Sequence, residues 1–339
     1  MNTSERYIIT ARNTKGCVIE HFDQYPISVI LGNEDYYDRI TQTYIDAFDT
    51  NVDSEMDVAD AVYKFEKNSH YTSFEIIDLA KEFLATLDEK YVKDLDDLIN
   101  SGHLFITDPR DISNGDKLDT EDITNYQKPI YSGLGKFIVL PMHNNITDAE
   151  TLVHEFMHYE LEKNMDEEHE QPIMRIFHEM NSIFHEYLFY DYLNRKGLFD
   201  NDCRKQLLKR LYHTRLDAEN VNLDAKIIKL TDEKLPVTNL EYDLKESDKI
   251  FRKLRSSCLY FKGGAFGAIL YDRYKAGIIN YKNIENFISS TPRSGSDDMV
   301  LNYLFNNEEL EFTKEEIFYS VNRLFDEFEL NSLNNKKVR

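Results

Sequence analysis

Cationic side chains and cysteines are both scarce in this chain of 339 residues. Lysine and arginine together number 40 against 62 aspartates and glutamates, a formal net charge of −22, and no basic block offsets the excess. That balance argues against nucleic acid and anionic membrane surfaces as partners, because both recruit proteins through clustered cations. The three cysteines, Cys17, Cys203 and Cys258, are far apart, odd in number and outside any C-x-x-C pattern. A reducing compartment suits them, with the thiols acting as small buried hydrophobes. No apolar run approaches the ~20 residues that a membrane helix needs. The opening Met1 to Thr10 also lacks the basic segment and long apolar stretch of a signal peptide. The expectation is a soluble cytoplasmic protein without internal repeats or low-complexity segments.

What is present is a globular composition, 41% hydrophobic and 13% aromatic, which excludes wholesale disorder. The chemistry concentrates in Thr147 to Glu160, where His154-Glu155-Phe156-Met157-His158 matches the H-E-x-x-H pattern. On a helix, residues four apart share a face, so both imidazoles can reach one metal ion while Glu155 stands beside it. Zinc accepts neutral imidazole nitrogens, and a catalytic zinc keeps one coordination position for water. A carboxylate next to the first ligand can take that water's proton and pass it to a leaving amine. The competing reading is a surface helix carrying two solvated histidines, since so short a motif also arises by chance.

Three features favour the metal. Thr147-x-x-Glu150 is a capping-box pattern ahead of Leu152, Val153, Phe156, Met157 and Leu161, a repeat that buries one side of a helix. Upstream, Lys136 to Pro141 is a short β-branched and apolar run ending in proline, which suits an edge strand able to hold an extended peptide. Downstream, Gln171 to about Leu193 reads as a second long helix. On it Glu179 and Glu186 share a face, as do His178 and His185, and one of these can supply a third ligand. Glu179 is preferred, because a loop and a turn of helix after His158 let an antiparallel helix return to the metal. The competing reading of this helix is a core element with solvated acids.

The stretches His154-Glu-Phe-Met-His-Tyr-Glu-Leu, Glu170-Gln-Pro and Phe177 to Leu193 resemble the catalytic core of the M3 metallopeptidases, the oligoendopeptidase F and thimet oligopeptidase group. The resemblance is strong over about Lys136 to Leu193 and fades outside it. It implies a gluzincin-type fold that binds one zinc ion through His154, His158 and Glu179, with Glu155 as general base. It also implies that Glu186, seven residues past the third ligand, orients a histidine ligand. A weaker echo lies at Arg255 to Tyr271, where family members carry a Gly- and Tyr-rich loop with donors for the tetrahedral intermediate. Here Gly263, Gly264 and Gly267 match, but Ser256 and Phe261 stand where a histidine and a tyrosine are expected. Tyr260, one position off, is the candidate for the oxyanion role, against the plainer reading of an aromatic packing residue.

The expected architecture is mainly α, with a small antiparallel sheet beside the active-site helix and a cleft between two helical lobes. Residues 1–102 form a reduced helical N-terminal lobe, 103–330 the catalytic domain and 331–339 a polar tail. A strand pair is expected near Tyr7–Ile9 and Cys17–Ile19. Helices follow near Tyr36–Phe48, Met56–Phe65, Thr72–Leu84 and Leu87–Ile99, with a strand at His103–Thr107 and a solvated acidic loop from Asp108 to Tyr126. Helices at about 201–216 and 247–259 are separated by the acidic, Pro236-containing stretch 217–246. Further helices cover about 265–274, 281–289, 297–305 and 313–328, the last opening on the capping box Thr313-x-x-Glu316. The implied activity is hydrolysis of internal bonds in short, unstructured peptides. An aminopeptidase-type gluzincin is disfavoured by the absence of G-A-M-E-N and G-E-N-x-x-D stretches. A degenerate member that binds zinc or peptide without turnover is the other alternative, and the oligomeric state is not legible.

Overall fold

A computed structural model describes residues 34–52, 71–107, 130–132, 135–162, 174–234, 240–290, 313–331 and 333. The expected strand pair near Tyr7 and Cys17, the helices near Met56 and Asp297, the acidic loop after Thr107 and the link between the two motif-bearing helices lie outside these residues. The described protein is mainly helical. Its helices are α1 (Glu34–Asn51), α2 (Ser73–Leu87), α3 (Glu89–Asn100), α4 (Thr147–Glu162), α5 (Met174–Lys196), α6 (Asn201–Lys234), α7 (Leu240–Lys275), α8 (Tyr281–Ser290) and α9 (Lys314–Glu327). Three strands, β1 (Leu104–Thr107), β2 (Ile130–Ser132) and β3 (Gly135–Pro141), form one small sheet.

Local chemistry sets many of these boundaries. Thr72 and Thr313 each accept the N3 backbone N–H while Glu75 and Glu316 reach back to the cap, so a capping box forms at each, the one at Thr313 as expected. Asp88 ends α2 and caps α3 by accepting from the Lys90 N–H. At Gly197 a positive φ of 69° closes α5, and the Leu198 N–H returns to the Leu193 carbonyl.

The sheet corrects two expectations. It is mixed rather than antiparallel: β1 pairs with β3 in parallel and β2 pairs with β3 antiparallel. The strand at 136–141 is therefore central, not an edge. Its proline takes the last register position, opposite Thr107, where a missing N–H interrupts no ladder beyond it. Ile138 and Leu140 are buried, and β3 packs on α4, while Phe105 and Ile106 of the outer strand β1 are substantially exposed.

Four helices carry the centre of the molecule. The pairs His154–Glu186 and His158–Glu179 set α4 antiparallel to α5, and Thr214 against Gly264 with Asp217 against Ser257 set α6 antiparallel to α7. Helices α5 and α7 run parallel in a constant register, with Gly263 against Glu179, Gly267 against Ile183, Tyr271 against Tyr187 and Lys275 against Asp191, each 84 positions apart. Buried side chains from α1 to α3 join the same core, with α1 packed on α6 and α9 and α2 on α4.

The stretch 217–246 does not separate two short helices. Helix α6 continues to Lys234 and α7 begins at Leu240. Nor is the glycine-bearing segment 256–267 a loop, for it is the middle of α7. Glycine weakens a helix by about 1 kcal/mol relative to alanine, but here it permits contacts that no side chain allows. A Cβ on Gly263 would lie 2.5 Å from Glu179 Cβ, and one on Gly264 would lie 2.4 Å from Thr214 Oγ1. Close packing against α5 and α6 thus outweighs the local propensity.

Candidate metal centre

Helix α4 enters the core one turn after β3. Its start is satisfied without the expected capping box: Asn145 Oδ1 accepts the Thr147 N–H, and Asp148 accepts from the backbone of His143 and Asn145. That frees Glu150 to turn inward. Glu150, His154 and His158 follow one another at four-residue spacing on one face of α4, and all three are buried.

Across from them stands the first half of α5. His154, His158 and Glu179 each offer one donor atom, and these atoms lie within 4.8 Å of one another. The two imidazole Nε2 atoms are 3.0 Å apart. Glu179 Oε2 is 3.6 Å from His154 Nε2, and Glu179 Oε1 is 3.7 Å from His158 Nε2. Two nitrogens on a tetrahedral zinc at 2.0–2.1 Å are about 3.3 Å apart, so the three donors already stand near coordination spacing. The group can hold a metal ion. Two neutral imidazoles and one carboxylate form a donor set that suits zinc among several divalent metals.

The groups around the triad are ordered. Glu155 is buried, with Oε1 3.9 Å from His154 Nε2. The His154 Nδ1–H donates to Glu186 Oε1, which assigns the tautomer and leaves Nε2 with its lone pair toward the triad. Arg210 of α6 grips the same carboxylate twice, Nε to Oε2 at 2.9 Å and Nη2 to Oε1 at 2.5 Å. Its Nη2 also lies 3.9 Å from Glu150 Oε1.

Glu150 and Glu186 are both buried and stand against the same guanidinium. Burial, reinforced by the neighbouring Glu186, holds Glu150 well above the usual carboxyl range. Burial pushes Glu186 up as well, and Arg210 opposes it. Glu186 also receives the imidazole and guanidinium N–H groups, which favour its charged form. For Arg210, burial works against its charge, but Glu186, Glu150 and Glu179 outweigh that effect.

The other candidates separate. His178 is buried with its ring centroid 6.3 Å from that of His158. Both ring nitrogens of His185 are engaged elsewhere: its Nδ1–H donates to the Asn181 carbonyl and its Nε2 accepts from the Tyr281 hydroxyl at 2.9 Å. Tyr260 is half-buried on α7 one turn before Gly263, beside the first turns of α5. Phe261 is buried edge-to-face on Tyr44 at 5.8 Å, and Ser256 is exposed. Cys203 and Cys258 are free and buried, and burial raises both thiols above their usual range.

Two participants escaped the reading of the sequence. Glu150 was assigned to the helix cap, although its four-residue spacing to His154 already put it on the metal face. Arg210 belongs to an ordinary amphipathic helix and has no spacing relation to its partners. Only the burial of several acids on α4 and α5 signals that a cation must come from elsewhere. Compared with protein-family models, with curated proteins and with solved structures, the chain matches none. No helix among the described residues is long and apolar enough to cross a membrane.

Proposed function

We propose that this protein is a zinc-dependent endopeptidase of gluzincin type acting on short, unstructured peptides in the cytoplasm. The observation that carries the reading is the convergence of the His154, His158 and Glu179 donors in one buried site with the Glu155 carboxylate alongside. Zinc held by His154, His158 and Glu179 would supply Lewis acidity toward the scissile carbonyl and the attacking water. Glu155 takes the proton of the attacking water as the carbon–oxygen bond forms. It delivers that proton to the departing nitrogen as the carbon–nitrogen bond breaks, so one carboxylate acts first as base and then as acid. Glu186 keeps the His154 ring in the tautomer and orientation that coordination needs.

A second reading has its own observation. The segment expected to carry oxyanion donors is helical, with Phe261 in the core and Ser256 outside. Loss of one such donor lowers turnover by about 100- to 1,000-fold. A zinc- and peptide-binding protein without turnover is therefore the alternative, unless Tyr260 provides the donor.

The test is hydrolysis of a mixed library of internally quenched peptides by wild type and Glu155→Gln, with the zinc content of each measured. Internal cleavage by wild type, none by a zinc-loaded variant, is the expected result. Equal turnover by Glu155→Gln sinks the assignment. Zinc in both with hydrolysis by neither favours the binding protein, and cleavage confined to N-terminal residues favours an aminopeptidase.

A further inference from the structure

We propose that Arg210 is a positioning residue for the metal centre, acting through Glu186 on the ring of His154. This inference rests on the metal-binding half of the proposed function and not on peptide hydrolysis. Glu186 Oε1 is a shared atom that accepts both the His154 Nδ1–H and the Arg210 Nη2–H, while Arg210 Nε holds Oε2 at 2.9 Å. A bidentate guanidinium fixes both the position and the plane of a carboxylate, whereas a lysine ammonium fixes neither. The His154 ring is thus held by a chain of three side chains from α4, α5 and α6.

Arg210 is itself positioned by packing. Its backbone carbonyl accepts from Thr214 Oγ1 at 3.1 Å, and Thr214 lies so close to α7 that a Cβ on Gly264 would come within 2.4 Å of it. The register of α6 on α7 therefore sets where the guanidinium stands. The charge arrangement leads to the same assignment. Glu150 and Glu186 are both buried, and Arg210 is the cation that the structure places against both. Without it, two buried carboxyl groups would face each other one turn from the metal, and Glu186 would lose the partner that holds it toward His154.

The experiment compares wild type, Arg210→Met, Arg210→Lys, Glu186→Gln and the double variant Glu186→Gln/Arg210→Met. Zinc affinity is measured by competition with a chromophoric chelator. The tautomer of His154 in the metal-free proteins is read from its imidazole 15N shifts. Arg210→Met should bind zinc about 10- to 100-fold more weakly, with His154 losing its pure Nδ1–H form, and Arg210→Lys should recover only part of the affinity. The double variant should bind no more weakly than Glu186→Gln alone, since the arginine acts through that carboxylate. This last comparison decides the matter even if Arg210→Met does not fold, because the double variant leaves no unpaired buried charge. Unchanged affinity and tautomer in Arg210→Met, or losses that add in the double variant, overturn the proposal. If wild type binds no zinc, the peptidase reading fails, and the His154 tautomer in Arg210→Met still decides the role of the arginine.

Discussion

The two halves of α5 are equally buried and chemically opposite. From His178 to Glu186 the helix carries two histidines and two glutamates, together with Asn181 and Ser182, all inaccessible. From Tyr187 to Leu193 it buries aromatic and aliphatic side chains: Phe189 stands edge-on to Phe83 at 5.3 Å, and Tyr190 packs against Phe199 at 5.6 Å and Phe328 at 6.3 Å. The second half packs mainly on apolar neighbours, Asp191 being paired with Lys275 at its rim, and contributes stability chiefly in proportion to area. The first half must find a charged or hydrogen-bonding partner for every ionisable group, because an unpaired buried charge costs several kcal/mol. A protein keeps such a half for what it does rather than for what it adds to folding.

That contrast can be broken from either side. In the aromatic half, Phe189→Ala should destabilise the fold by about 3–5 kcal/mol and leave zinc affinity unchanged, as read by urea denaturation and chelator competition. A parallel loss of zinc affinity would join the two halves into one unit. At the boundary with α7, Gly263→Ala drives a Cβ to 2.5 Å from Glu179 Cβ, an atom next to the backbone that cannot swing away. It should cost about 2–3 kcal/mol and weaken zinc binding at least tenfold. Gly267→Ala, whose new contact is 3.0 Å from an Ile183 methyl, should be milder and spare the metal. Equal effects of the two on zinc would refute the placement of Gly263 behind the third ligand.

The polar half also carries a pH signature away from the metal. Burial lowers the pKa of His185 from 6.5 to about 4. The folded state thus keeps the ring neutral while the unfolded chain binds a proton below 6.5. The stability that this contributes is complete above pH 6.5 and is lost as the pH falls toward about 4. His185→Gln should flatten that fall by about 1–3 kcal/mol in melts taken between pH 4 and 7; an unaltered slope would rule it out. The smallest effect is expected at Asp217, beside Ser257 on α7, where burial raises the carboxyl from 3.8 to about 6. Ionising it in the fold becomes progressively unfavourable as pH rises from about 4 to about 6, and the penalty is constant above. Asp217→Asn should therefore gain about 1 kcal/mol above pH 6 and nothing at pH 3.5, and a gain that ignores pH would point to another cause.

The legible parts of this molecule are those whose partners are near in the chain. The capping box at Thr313 and the shared face of His154 and His158 both depend on residues within a few positions of one another. Where two local rules competed, the sequence misled. Thr147-x-x-Glu150 satisfies the capping pattern, yet Asn145 and Asp148 take the backbone donors and Glu150 turns to Arg210. Likewise the resemblance implied a loop around Gly263 and Gly264, and the closeness of α5 and α6 that makes glycines fit a helix there is invisible along the chain. The strand ending in Pro141 read as an edge because the parallel partner β1 is about thirty residues away and the proline falls at the last pairing position.

By itself the sequence determined the mainly helical character, the spacing that puts two imidazoles on one face, and the acid that follows the first of them, since 3.6-residue periodicity and capping are short-range physics. Among the four candidate ligands on α5 the sequence preferred Glu179 without fixing it, and the tertiary structure brings that carboxylate to the imidazoles. Only the tertiary structure decided that His154 is the ring Glu186 meets, and that an arginine from a third helix holds that carboxylate. These choices depend on helix register and on how closely α7 can approach α5. Both are set by interlocking side-chain volumes across the core, which no local pattern encodes.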